Sequence, residues 1–289
     1  MTRTSVIMSV YNSDKWVKKA IESILSQSEQ DFEFLIIDDA SNDGSFKVLS
    51  EYQNLDSRIK VFKNNKNLGL TKNLNKLIKL SKSEFIVRMD ADDISMPNRI
   101  ECQLDLMNSQ KIDLCFAQTN IILESGEKLC QKWFPNNILF ANKYLPYINL
   151  FTHSSLMIKK TVYEENNYYN EKFKKAQDWE LWNRLVKKNY KFGITKNVLH
   201  SWRLHPSGTS LSLSESSSEN YNYFLAKVLL MNNQRKKSFK YLHLLPRKYL
   251  IKYFFYLLIP HKFLFFLISL NSRLNKKSPV NKLLKKLDE

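Results

Sequence analysis

The sequence is poor in several residue types that mark particular protein classes. Its three cysteines, Cys102, Cys115 and Cys130, show neither a CxxC nor a CxH spacing, which argues against a disulfide framework or a zinc site. Five glycines and seven prolines among 289 residues argue against collagen-like and low-complexity chains. The apolar run at residues 5–10 is too short for the core of a signal peptide. We therefore expect a cytoplasmic protein.

Acidic residues are nearly absent from the C-terminal part. Residues 221–289 contain 15 lysines and arginines against two acids, whereas the first 220 residues contain 30 basic and 26 acidic residues. Residues 249–270 form two aromatic-rich apolar runs, each shorter than the ~20 residues that cross a bilayer. Such runs between basic clusters are typical of helices on anionic membrane surfaces. We predict a helical membrane-associated extension over residues 216–289, with packing on protein as the alternative, and no nucleic-acid partner.

Strands and helices are predicted to alternate along the first 110 residues. The β-prone runs lie at residues 5–10, 32–37, 59–62 and 84–89, and the helical patterns lie at 13–27, 46–52, 70–80 and 98–110. This alternation predicts an α/β fold with a parallel sheet. Polar residues follow three of the strands, at 11–12, 38–39 and 90–93. Because ligands of open α/β sheets bind at the carboxyl ends of strands, we expect these residues at one edge.

Two acidic clusters follow predicted strands. Asp90-Ala91-Asp92-Asp93 contains three carboxylates in four residues, and such a cluster needs a cation, hydrogen-bond donors or free solvation. A divalent ion shared with phosphate oxygens explains it, and so does a solvated turn in which Asp93 caps the next helix. Asp38-Asp39 suits hydrogen bonding to a base or ribose. Taken alone, that segment is explained more simply by capping of a helix by Ser41 or Asp43.

Four motifs follow one another within the first 100 residues. They are Ser9-Val10-Tyr11-Asn12, Asp38-Asp39-x-Ser41-x-Asp43-Gly44-Ser45, Asn67-x-Gly69-x-x-x-Asn73 and Arg88-Met89-Asp90-Ala91-Asp92-Asp93. In order and spacing they resemble family 2 glycosyltransferases of the GT-A fold, and the resemblance continues more loosely to about residue 212. It implies a Rossmann-like, mostly parallel sheet flanked by helices over residues 1–215, followed by the helical extension.

The resemblance also implies a donor site. Its donor-binding residues would be Tyr11, Asn12, Asp39, Asn67, Asn73, Asp90 and Asp93. Among them, Asp39 would hydrogen-bond the nucleotide base, with uracil favoured, and Asp90 would approach the ribose. Asp92 would bind Mn²⁺ or Mg²⁺, and Asp93 would orient the metal site or the transferred sugar.

The second half of the chain carries the implied acceptor side. Ala176-Gln177-Asp178-Trp179 is similar to the family's acidic motif at a helix start, with Gln177 where the family commonly has Glu. The resemblance implies that Asp178 is the general base of an inverting displacement. An N-cap on a helix is the alternative role for Asp178. We expect His153 and Trp179 to contact the acceptor.

A later motif, Trp202-Arg203-Leu204-His205-Pro206, resembles the family's closing loop. The resemblance implies that His205 completes the metal site, since imidazole is a ligand for Mn²⁺. It also implies that Arg203 pairs with phosphate oxygens of the donor, for which the planar guanidinium is suited.

Taken together, these features predict an inverting, metal-dependent glycosyltransferase at the inner face of the cytoplasmic membrane. It would move a hexose or N-acetylhexosamine from a nucleotide sugar, a UDP-sugar being favoured, to a lipid-linked or surface glycan such as lipopolysaccharide or capsule. A metal-dependent nucleotidyltransferase stays open as an alternative, although the chain has no early Gly-rich phosphate loop. A non-enzymatic, basic membrane-binding protein is the other alternative, and its activity would reside in the tail.

Overall fold

A computed structural model describes residues 2–132, 145 and 149–208 of the chain. Contacts divide the chain into two compact units, the first made of residues 1–119 and 149–202 and the second of residues 120–148 and 203–289. The predicted domain boundary at residues 215/216 and the predicted basic extension lie outside the described residues. Within the described part, no helix is both long and apolar enough to cross a membrane.

The described residues form nine strands and six α-helices. The strands are β1 Thr4–Val10, β2 Phe32–Asp38, β3 Ile59–Lys63, β4 Phe85–Asp90, β5 Ile94–Ser95, β6 Leu114–Leu123, β7 Lys128–Gln131, β8 Leu156–Lys159 and β9 Phe192–Leu204. The helices are α1 Asp14–Leu25, α2 Ser45–Leu55, α3 Leu70–Leu80, α4 Arg99–Gln110, α5 Lys160–Glu165 and α6 Gln177–Lys187, and a 3₁₀ turn covers His153–Ser155.

The first four long strands form a parallel layer in the order β3-β2-β1-β4. Their register brings Val10 opposite Asp38 and Ser9 opposite Asp90. The carboxyl ends of β1, β2 and β4 are therefore level with one another. This arrangement places the polar residues that follow these strands at one edge of the sheet, as the sequence predicts.

The remaining strands pair antiparallel. Strand β8 lies between β4 and β6, with Phe85 opposite Lys159 and Leu114 opposite Ile158. The full order is β3-β2-β1-β4-β8-β6-β9-β5, with β7 paired to β6. The sheet is therefore mixed. Parallel neighbours need a crossover connection, usually a helix, whereas the antiparallel strands of the second half do not.

Helices bury an apolar stripe against each face of the parallel layer. In α1 the buried residues Val17, Ala20, Ile21 and Ile24 recur at three- and four-residue spacing, as in an amphipathic helix. They pack with alternate residues of β1, β2 and β4 in one hydrophobic cluster. Helix α3 packs against β1 and β2, and its Asn73 donates to Ser9 near the carboxyl end of β1.

Candidate active site

The turns after β1 and β2 are joined by hydrogen bonds. Asn12 and Ala40 adopt left-handed backbone conformations, with φ of 48° and 61°, which turn the chain sharply after each strand. The amide of Asn12 donates to Ser41 Oγ at 3.0 Å, and the amide of Asn42 donates to Asn12 Oδ1 at 3.0 Å. Tyr11, at the start of the first turn, is 49% exposed. These turns thus present an aromatic ring at the sheet edge where the sequence predicts the nucleotide base.

Asp39 is the centre of a buried hydrogen-bond cluster. Its Oδ1 accepts from Asn64 Nδ2 and from the amide of Leu68, both at 2.8 Å, and its Oδ2 accepts from the amide of Gly69 at 2.9 Å. Burial raises the pKa of Asp39, but the hydrogen bonds from Leu68, Asn64, Asn73 and Gly69 outweigh burial and hold the pKa below the ordinary 3.8. Asp39 is therefore an ionised carboxylate that fixes the loop before α3.

Asn73, a predicted donor-binding residue, joins this cluster to β1. Asn73 Oδ1 accepts from Asn64 Nδ2 at 2.8 Å, and Asn73 Nδ2 donates to Ser9 Oγ at 3.0 Å. Asn67 is exposed on the loop. The asparagine that bonds both Asp39 and Asn73 is Asn64, which the sequence analysis missed. Its position directly after β3 is the signal that would have indicated it, since polar residues at strand ends mark this edge.

The acidic cluster lies at the end of β4. Asp90, Asp92 and Asp93 bring carboxylate oxygens within 4.8 Å of one another. Burial raises the pKa of Asp90 and the charge of Asp92 adds to this, while an ion pair with buried Arg88 opposes it. Hard oxygen ligands at this spacing suit Mg²⁺ or Mn²⁺, so the residues present fit the expected divalent ion.

Arg88 is a second residue that the sequence analysis left without a role. It is 1% exposed, and it contacts the Asp90 carboxylate from two residues earlier in β4. Residues two apart in a strand point to the same face, so the spacing of Arg88 and Asp90 is the signal that would have predicted this pair. A buried guanidinium therefore lies beneath the acidic cluster as its counter-charge.

Asp93 is buried within the cluster and does not cap a helix. Its Oδ2 accepts hydrogen bonds from Ser154 Oγ and from His200 Nε2, the latter at 2.9 Å. The next helix, α4, begins at Arg99 after Asn98. The capping alternative for Asp93 is therefore wrong, because its carboxylate is engaged by the 3₁₀ turn and by β9.

Asp178 lies in the first turn of α6. The residue before the helix, Ala176, is left-handed with φ of 59°, and Asn149 Nδ2 donates to Asp178 Oδ2 at 2.7 Å. Burial raises the pKa of Asp178 above its ordinary value, and this outweighs the opposing hydrogen bonds from Asn149 and the Trp179 amide and the charge of Arg88. A half-buried carboxylate of raised pKa is a better proton acceptor than an exposed one. Trp179 follows on the same turn and is partly exposed.

His153 is held by a chain of phenols. Its Nε2 is 2.7 Å from the hydroxyl of Tyr169, which is 2.8 Å from that of Tyr163. Burial lowers the pKa of His153 well below 6.5, and the charge of Arg88 adds to this. His153 is therefore a neutral imidazole whose Nε2 is engaged by the protein, and its predicted acceptor contact stays a prediction.

The two closing-loop residues belong to the second unit. Arg203 Nη1 donates to the carbonyls of Leu123 and Glu124, at 3.2 and 3.0 Å, in the turn between β6 and β7. His205 Nδ1 is 2.9 Å from Ser207 Oγ. Their predicted roles at the donor phosphate and the metal stay predictions.

Comparison with known families identifies the fold and the activity class. Residues 5–166, more than half of the chain, match the model of glycosyl transferase family 2, and these residues include both the Asp39 and the Asp90–Asp93 clusters. The chain belongs to glycosyltransferase family 2. It is therefore an enzyme of glycosyl transfer, which decides against the nucleotidyltransferase and the non-enzymatic alternatives.

Among its relatives are enzymes of surface-polysaccharide synthesis. This family 2 glycosyltransferase is 33% identical over 265 residues to an uncharacterised glycosyltransferase of Methanocaldococcus jannaschii, covering 90% of this chain and 88% of the relative. It is 33% identical over 237 residues to the O-antigen biosynthesis glycosyltransferase WbnJ of Escherichia coli, covering 79% and 91%. WfaP of E. coli, a UDP-Glc:α-D-GlcNAc-diphosphoundecaprenol β-1,3-glucosyltransferase, is 26% identical over 210 residues, covering 73% and 80%.

Solved structures confirm the GT-A fold of this family 2 glycosyltransferase. TarS of Staphylococcus aureus in complex with UDP-GlcNAc superposes with a TM-score of 0.60 at 18% identity, over 86% of this chain and 72% of TarS. The mannosyltransferase PcManGT of Pyrobaculum calidifontis in complex with GDP-Man and Mn²⁺ gives 0.58 at 13% identity, over 98% and 79%. At these identities the likeness concerns the fold.

Proposed function

We propose that this enzyme is an inverting, divalent-metal-dependent transferase that moves a hexose or N-acetylhexosamine from a UDP-sugar to a lipid-linked glycan of a surface polysaccharide. The supporting observation is a set of carboxylates whose environments differ sharply. Hydrogen bonds hold the pKa of Asp39 low, whereas burial raises the pKa of Asp178. Carboxylates whose pKa values are shifted in opposite directions are a common sign of divided roles in catalysis.

On the donor side, Asp39 and Tyr11 recognise the nucleotide base. The Asp39 carboxylate accepts from Asn64 and from the amides of Leu68 and Gly69, and in this proposal it also accepts from an N–H of the base. The exposed ring of Tyr11 offers a face for stacking. A UDP-sugar is favoured because WfaP takes UDP-Glc and TarS binds UDP-GlcNAc.

On the acceptor side, Asp178 is the general base. The acceptor hydroxyl transfers its proton to Asp178 as its oxygen bonds to the anomeric carbon, and the bond from that carbon to the diphosphate oxygen breaks. This single displacement inverts the anomeric configuration. Asp90, Asp92 and Asp93 would hold the divalent ion. The roles of His205 as a further ligand and of Arg203 at the diphosphate are carried over from the sequence resemblance. When bound, the ion supplies Lewis-acid stabilisation of the charge on the leaving diphosphate.

The acceptor is proposed to be lipid-linked, and the enzyme to be peripheral at the inner face of the cytoplasmic membrane. The similarity to WfaP, whose acceptor is a diphosphoundecaprenol-linked sugar, supports the lipid-linked acceptor. The basic, aromatic-rich residues 216–289 would hold the enzyme on anionic lipid. The full-length protein should float with phosphatidylglycerol vesicles and stay in solution with phosphatidylcholine vesicles. Equal behaviour with both lipids would contradict the electrostatic part of this proposal.

The central experiment is a screen of UDP-, GDP- and dTDP-sugars that follows nucleoside diphosphate release, with Mn²⁺ or with EDTA. Membrane extract supplies the acceptor, and the anomeric configuration of the product is read by NMR. We expect turnover of one UDP-sugar, and this turnover should require the metal. It should be lost in Asp92→Ala and in Asp178→Asn. The control Asp105→Asn, a change at an exposed position of α4, should keep it. Turnover that is insensitive to EDTA, or a retained anomeric configuration, would refute the corresponding part of the proposal.

A further inference from the structure

A second buried arginine lies behind the acidic cluster. Arg99, the first residue of α4, is fully buried, and its guanidinium donates to the carbonyls of Arg88 and Leu156 at 2.9 and 3.2 Å and to Gln103 Oε1 at 2.9 Å. Its Nη1 is 3.3 Å from His200 Nδ1. None of these partners is a carboxylate. The guanidinium is therefore tied to neutral groups, and the imidazole of His200 lies between it and the charge of Asp93.

The contact with Arg99 determines which nitrogen of His200 carries the proton. A guanidinium has only donors, so Nδ1 must accept from it. The single hydrogen of the neutral ring then belongs to Nε2, which lies 2.9 Å from both Asp93 Oδ2 and Ser154 Oγ. His200 therefore donates to Asp93 because Arg99 prevents the opposite tautomer.

We propose that His200 is a positioning residue for the acidic cluster: oriented by Arg99, it donates through Nε2 to Asp93 and fixes that carboxylate in the arrangement that binds the divalent ion. This inference rests on the proposed metal-dependent function and deepens it, since it assigns to β9 a residue that acts on the ion through Asp93. His200 is fully buried and acts through Asp93.

The geometry supports positioning because two donors from different elements meet the same oxygen of Asp93. Both hydrogen bonds fall on Oδ2, from Ser154 in the 3₁₀ turn and from His200 in β9. Together they fix the carboxylate plane relative to Asp90 and Asp92. Hydrogen-bonded groups behind metal ligands usually matter for metal affinity by about 10- to 100-fold.

Two matched substitutions separate positioning from a role in folding. In His200→Gln, the amide nitrogen can take the place of Nε2 and donate to Asp93. In His200→Asn, the shorter side chain can still accept from Arg99 at the position of Nδ1 but does not reach Asp93. Both variants are polar, and thermal unfolding first establishes that each is folded. Mn²⁺ binding is then measured by electron paramagnetic resonance with UDP, and in parallel with GDP, at a fixed pH.

We expect His200→Gln to bind Mn²⁺ within a few-fold of the wild type and His200→Asn to bind it about 10-fold more weakly or worse. Equal affinity of a folded His200→Asn and the wild type would overturn the inference. If His200→Asn does not fold, Ser154→Ala is measured in its place, because it removes the other donor to the same oxygen. Unchanged affinity in that variant overturns the inference as well.

The wild type and Asp92→Asn show whether the proposed function itself is at fault. If the wild-type protein binds Mn²⁺ no better than Asp92→Asn with either nucleotide, the metal-dependent function fails. If the wild type binds Mn²⁺ and Asp92→Asn does not, the metal site stands, and only the comparison of the His200 variants decides the positioning role.

Discussion

Replacement of Asp39 by asparagine should cost much of the stability of the fold. The carbonyl of the introduced side chain can keep the two donors that now meet Oδ1, from Asn64 and Leu68, but its amide group then faces the amide of Gly69. A buried donor left without an acceptor costs about 1–3 kcal/mol, and each of the two other bonds loses about 1 kcal/mol when its acceptor becomes neutral. We expect Asp39→Asn to lower the free energy of unfolding by about 3–5 kcal/mol.

The assay is urea unfolding followed by tryptophan fluorescence, extrapolated to water. Asp105→Asn is the control, because this exposed change should stay within about 0.5 kcal/mol of the wild type. The pH dependence gives a second test. Since the pKa of Asp39 in the fold lies below 3.8, its ionised form stabilises the protein fully above that value, and this contribution is lost as the pH falls through the folded-state pKa.

The difference between the wild type and Asp39→Asn should therefore be largest near neutral pH and shrink in acid. The backbone conformation makes the site sensitive, because Gly69 has φ of 87° and the loop depends on Asp39 to hold it. A loss in Asp39→Asn no larger than that in Asp105→Asn at neutral pH would contradict this role of Asp39. So would a difference between the wild type and Asp39→Asn that grows as the pH falls.

Three further outcomes follow from the structure. Burial raises the pKa of Asp178, so its ionised form destabilises the fold at neutral pH. Asp178→Asn should therefore raise the melting temperature at neutral pH, although it abolishes transfer by removing the proposed general base. A lower melting temperature would contradict this. The same raised pKa predicts that the rate of transfer by the wild type falls on acidification at a pH above 3.8, as measured by a pH–rate profile. Burial raises the pKa of the Cys115 thiol to about 12. Thiol reagents at about pH 8 should therefore label this residue only after unfolding. Peptide mass spectrometry of the labelled Cys102→Ser variant checks this.

The elements of the first half were predictable because their patterns are strong and local. The predicted helix over residues 70–80 matches α3 at both ends, since Leu74, Leu77 and Ile78 recur at helical spacing and are buried. The strands that precede the acidic clusters agree with their predictions within one residue at either end. The edge of the sheet that bears the site follows directly from these parallel strands.

The second half was harder to predict because its two long strands, β6 and β9, are interrupted by polar residues. Beyond the apolar residues 114–117, β6 continues to Leu123 through the polar residues Gln118 and Asn120, where no apolar pattern predicts a strand. The buried polar residues behind the cluster were missed for a related reason. His200 forms part of no local pattern, and its partner Asp93 lies 107 residues earlier. Only the folded chain brings the two together.

The return of the chain to the centre of the sheet has a consequence for the order in which the enzyme matures. Asp93 emerges during synthesis well before Ser154 and His200, its partners 61 and 107 residues later. Until β9 has joined the sheet, Asp93 lacks the histidine that donates to it and Arg99 lacks its nitrogen acceptor. A nascent chain that ends before residue 200 can form the parallel strands but not the finished acidic cluster. The proposed ability to hold a divalent ion would therefore be acquired late, after most of the first unit has been made.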